Sequence, residues 1–118
     1  MKKHVLIIEE YRSNVELIDI LLDSGFEISL LNNVSKFLVN VTQLKPNLII
    51  MNMGPSVANE RNLFNIPWPE LASANIPIII VSNLSESTFI SFPYQIQACI
   101  INPPDFDIVR DKALEIIN

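Results

Sequence analysis

Glycine is nearly absent: Gly25 and Gly54 are the only two in 118 residues. That excludes a glycine-rich loop able to cradle a nucleotide or flavin phosphate. A single cysteine, Cys99, excludes an internal disulfide framework and suits a reducing compartment. Its setting in an apolar run reads as that of a small buried hydrophobe beside a strand. No cysteine follows the first apolar run, as a cysteine-phosphate carrier would require. With one histidine, His4, and no nucleophile elbow, nothing resembles a Ser-His-Asp arrangement. His4 has no Asp or Cys beside it and reads as a surface residue ahead of the first strand. Basic residues number eight against thirteen acidic ones, a net charge of −5 with no basic stripe, so this domain alone is not expected to bind nucleic acid. The amino terminus has only four apolar residues between His4 and Glu9, too few for a signal peptide or a membrane span. The expectation is a cytoplasmic protein with no membrane contact.

What the chain has in quantity is apolar surface. At 49% hydrophobic, residues 1–118 suffice for one domain with a sizeable core and leave no room for a second. Four short runs stand out: Val5 to Ile8, Leu48 to Met51, Ile78 to Val81 and Cys99 to Ile101. They are continuous rather than alternating, the pattern of parallel strands covered on both faces. Phe26 to Leu31 alternates in part and fits an edge strand.

Helical stripes lie between the runs. After Ser13, a plausible N-cap, Val15, Leu17, Ile18, Leu21 and Leu22 recur on one face, and Gly25 supplies a stop. Val34, Phe37, Leu38 and Val41 form a second stripe ending before Pro46. Asp105 is placed to cap a last helix carrying Ile108, Val109, Lys112, Leu114, Ile116 and Ile117. Strands alternating with helices predict an α/β fold with right-handed crossovers and a doubly wound parallel sheet. Between Gly54 and Pro77, Pro67 and Pro69 flank Trp68, and Pro93 interrupts the stretch from Ser85 to Ala98. The third and fourth helices are therefore expected to be short or distorted.

Functional groups of open parallel sheets gather beyond the carboxyl ends of the strands. Glu9 and Glu10 stand after the first strand, Asn52 after the third, Ser82 and Asn83 after the fourth, and Asn102-Pro103-Pro104 after the fifth. In this order the chain resembles a response-regulator receiver domain, CheY-like, over nearly its whole length. "VLIIEEYRSNVELIDILLDSGF" matches a first strand, acidic pair and first helix, and "KPNLIIMNMGP" the third strand that ends in the phosphate-accepting Asp. "IPIIIVSN" matches the fourth strand with its switch hydroxyl, and "IINPP" the fifth strand followed by Lys-Pro. The resemblance implies a flavodoxin-like sheet of five strands in the order 2-1-3-4-5. It also implies a Mg²⁺ site at the acidic pair and acceptor, and signal transduction by phosphoryl transfer.

The departures fall where that chemistry sits. Asn52 replaces the acceptor, and an amide is neither a usable nucleophile nor an anionic ligand for a hard cation. No Asp occurs between Asp23 and Asp105, and no Lys between Lys45 and Lys112. Pro103 takes the place of the phosphate-clamping Lys, or Asn102 if the register slips by one. Ile100 stands at the switching aromatic. Ser82 stands at the switch hydroxyl, although with Ser85 and Ser87 it reads more readily as a turn residue. Glu9 and Glu10 are the candidates for any metal, but each is a methylene longer than Asp. The expected state is two solvated glutamates with no cofactor and no Mg²⁺. The reading is a non-enzymatic, phosphorylation-independent pseudo-receiver acting through a protein partner or self-association. Phe89, Phe92 and Tyr94 mark the candidate surface, with Trp68 as a second aromatic anchor or a lid over the sheet. The alternative is a ligand- or metal-responsive switch at the Glu9/Glu10/Asn52 pocket.

Overall fold

The computed structural model describes residues 2–9, 15–31, 37–54, 75–82, 98–101 and 105–117, with side chains at all of these but 15, 37–38, 52–54, 82 and 98–101. Five strands, β1 (His4–Glu9), β2 (Glu27–Leu31), β3 (Leu48–Gly54), β4 (Ile78–Ser82) and β5 (Ala98–Ile101), pair in the order β2-β1-β3-β4-β5. Every pairing is parallel, so the sheet has the expected doubly wound order. Helix α1 (Val15–Asp23) follows β1, α2 (Phe37–Leu44) follows β2, and a C-terminal helix (Phe106–Ile117) follows β5. Residues 55–74 and 83–97, where the distorted helices are expected, lie outside the described residues, as do Ser13 and Val34.

The continuous apolar runs are explained by burial on both faces. Val5, Ile7, Leu48, Ile50, Ile79 and Val81 join Leu17 and Leu21 of α1 and Val109 and Ala113 of the C-terminal helix in one cluster. The intervening Leu6, Ile8, Ile49, Met51, Ile78 and Ile80 are buried too. A strand flanked by apolar layers on both sides has no polar face to alternate with. β2, at the edge, mixes exposed Glu27 and Leu30 with buried Leu31.

Local chemistry sets the helix ends. Gly25 adopts φ +94°, its N–H donates to the Leu22 carbonyl at 3.0 Å, and the Phe26 N–H donates to Leu21 at 3.2 Å. This is the Schellman pattern, and Phe26 and Leu21 meet in the same apolar cluster. Asp105 caps the C-terminal helix, its Oδ1 accepting from the N–H groups of Asp107 (3.0 Å) and Ile108 (3.2 Å). Two stripe residues differ from expectation. Leu22 and Ile108 are exposed, at 50% and 51%, because the faces in contact run through Leu17–Leu21 and through Val109–Ala113. His4 is also corrected: it opens β1 rather than preceding it and is half-buried. Its Nε2 lies 2.6 Å from Ser29 Oγ, while its backbone exchanges bonds of 2.8 Å with Asn47.

Candidate functional site

The carboxyl ends of β1, β3 and β4 meet at one pole of the sheet. Glu9 is register partner of Asn52, and Asn52 in turn of Val81. The register then shifts, and Gly54 rather than Met53 pairs with Ser82. β3 therefore carries one more residue than β4 across this step, a bulge of the kind that re-aims positions at strand ends. Gly54 was the only sequence signal for it, and Met53 was not singled out.

The strands run further than their apolar runs. Glu9 is the last residue of β1, Asn52 lies within β3, and Ser82 ends β4, so none of the three follows its strand. For Glu9 the consequence is large. It is 2% exposed, the single polar or charged residue among the described residues that is buried, so the expectation of a solvated glutamate is overturned. The cause is continuity of the strand: Glu9 closes β1, in which every residue from Val5 onward is buried. Glu9 is not without a partner in the chain.

Ile100 lies in β5 as the register partner of Ile80. Glu10, Asn102 and Pro103 lie outside the described residues, as do Trp68, Phe89, Phe92 and Tyr94. The geometry thus brings Glu9, Asn52 and Ser82 to one pole and leaves the aromatic candidates untested.

The described donors at this pole do not fit the Mg²⁺ that the resemblance implies. Mg²⁺ is held by hard anionic oxygens in tight octahedral geometry. The register partner of the one described carboxylate is an amide. Among the described residues, no three His, Cys, Asp or Glu group to hold a metal. Nor, among them, is any helix long and apolar enough to cross a membrane.

No family model matches the sequence, and no curated protein matches it. Solved structures do. A response regulator signal receiver domain from Bermanella marisrubri superposes with a TM-score of 0.74 at 13% identity, over 100% of both chains. A CheY-like receiver domain protein from Methanospirillum hungatei JF-1 gives 0.72 at 18% identity, over 98% of this chain and 93% of that one. A response regulator from Thermotoga maritima gives 0.72 at 15%, over 99% and 98%. At such identities the likeness is one of architecture: this chain has the fold of a CheY-like response-regulator receiver domain.

Proposed function

We propose that this domain is a pseudo-receiver of bacterial signal transduction that works without phosphorylation, through a protein partner or a second copy of itself. The observation that carries the reading is the place of Asn52, in register with buried Glu9 at the strand-end pole. A receiver needs a carboxylate nucleophile there, and an amide cannot serve. The sequence supplies no neighbouring Asp in compensation, and no Lys to hold a transferred phosphoryl group. A non-enzymatic binding role in the cytoplasm follows, with Phe89, Phe92 and Tyr94 as the working surface and Trp68 as a further anchor.

The test is incubation with Mg²⁺ and a small acyl phosphate, read by intact mass, with amide NMR under beryllofluoride in parallel. The reading expects no phosphoryl adduct and no saturable shift at Glu9, Asn52 or Ser82. A stable adduct, or shifts spreading from Ser82 to Ile100, would return the domain to the class of ligand-driven switches. The surface is tested separately: alanine at Phe92 and Tyr94 should abolish self-association or partner binding while the domain stays folded.

A further inference from the structure

The register of β1 against β2 assembles a second cluster of reactive side chains, at the opposite end of β1 from Glu9. Val5 and its register partner Ile28 turn into the apolar cluster shared with α1. The residues that alternate with them, His4 on β1 and Glu27 and Ser29 on β2, therefore lie on the other face of the sheet. There the His4 Nε2 is 2.6 Å from Ser29 Oγ, the separation of a nucleophile from its general base. Both side chains are half-buried, so the pair is held in place and still reached from solvent.

Two further groups complete the chemistry. Glu27 is exposed and in register with His4, one strand spacing away, about 4.8 Å. Turned toward the ring, its carboxylate would accept from Nδ1–H, the tautomer that leaves Nε2 to accept from the Ser29 hydroxyl. The second group is a backbone donor. The Glu27 N–H donates to the Lys3 carbonyl at 2.9 Å, so residues 27, 29 and 31 direct their backbone to β1. Ile28 and Leu30 direct theirs outward, because β2 ends the strand order. The N–H of the residue after a nucleophilic serine is a recurrent oxyanion donor, and here that residue is Leu30.

We infer that Ser29 is a site of covalent acylation, with its own hydroxyl as the nucleophile, His4 as the base and activated esters as the donors. Ser29 Oγ attacks the ester carbonyl carbon while its proton passes to His4 Nε2. The bond from that carbon to the leaving oxygen breaks, and the imidazole returns the proton to the departing oxygen. The products are O-acylated Ser29 and the free alcohol, with nothing oxidised or reduced. One transfer per chain marks the edge strand, and it neither uses Asn52 nor depends on the reading of the strand-end pole.

The experiment treats the wild type, His4→Gln, His4→Ala and Ser29→Ala with p-nitrophenyl acetate, quenches with acid, and maps acetyl groups by peptide mass. Circular dichroism checks that each variant is folded. In the wild type, Ser29 should acetylate at least about a hundredfold faster than the other serines of the chain, the usual worth of a positioned base. His4→Gln keeps a hydrogen-bonding partner for Oγ but no base, and it should bring Ser29 down to the level of those serines. Ser29→Ala should lose the fast phase of p-nitrophenolate release. A wild-type Ser29 no faster than the other serines overturns the inference, as does a folded His4→Gln or His4→Ala that reacts like the wild type. If neither His4 variant folds, the comparison among serines within the wild-type chain decides alone.

Discussion

The imidazole of His4 on β1 meets the hydroxyl of Ser29 on β2 at 2.6 Å, although His4 is the register partner of Glu27 and not of Ser29. The contact is diagonal, two residues along the edge strand. According to the tautomer, either the Ser29 O–H donates to Nε2 or the Nε2–H donates to Oγ. Both residues are half-buried. Ser29→Ala should therefore cost about 1 kcal/mol in urea unfolding, the usual net worth of one such bond. A double-mutant cycle with His4→Ala should recover a coupling of roughly 0.5–1.5 kcal/mol. A coupling of zero would mean that the bond adds nothing in solution.

Gly25 isolates a backbone effect. Its φ of +94° lies in the region that L side chains avoid, yet a Cβ built there has nothing within 4 Å. No clash enters, so Gly25→Ala should destabilise by about 1–2 kcal/mol through conformational strain alone. Asn, which tolerates positive φ better, should cost less than Ala at the same position. Thermal melting of the two variants gives the order directly, and equal melting points would show that the turn relaxes.

The parts of the fold legible in the sequence were those where one physical requirement dominates. Val5 to Ile8 and Ile78 to Val81 had to be continuous because both faces of the sheet are covered. Gly25 had to end α1 because no other residue enters that turn cheaply. The strand-end pole was legible as a set of positions but not as an environment. Glu9 looks like a residue after a strand because a carboxylate breaks an apolar run. The hydrogen-bonded ladder does not stop at a change of polarity, and it carries Glu9 into the buried part of the sheet. The His4–Ser29 tie left no trace, since it joins residues far apart in the chain by a diagonal that only the β1–β2 register creates.

Asp105 is the cap foreseen for the last helix, and its worth can be read on its own. Its Oδ1 takes two backbone N–H groups that would otherwise face water. Asp105→Ala should cost about 1 kcal/mol, and Asp105→Ser should recover most of it because a hydroxyl also accepts from the first turn. Urea unfolding distinguishes these from a purely electrostatic part, which Ser would not restore.

The C-terminal helix also shows where an apolar pattern misleads. Ile108 is apolar and adjacent to Val109, so composition places both in the core, whereas Ile108 is 51% exposed. Ala113, too small to mark a stripe, is fully buried in the cluster with Leu17 and Leu21 of α1. The interface between the helices is thus set by a small residue that admits close approach. Ala113→Leu should overpack it and destabilise by about 1–3 kcal/mol, since a dense core absorbs added methylenes only by shifting its neighbours. Ile108→Ala removes three apolar carbons, yet it should stay within about 0.5 kcal/mol, because the side chain is half exposed and loses little contact on leaving. Denaturant unfolding of the two variants decides the matter: a costly Ile108→Ala with a harmless Ala113→Leu would mean that the helix presents its other face to α1.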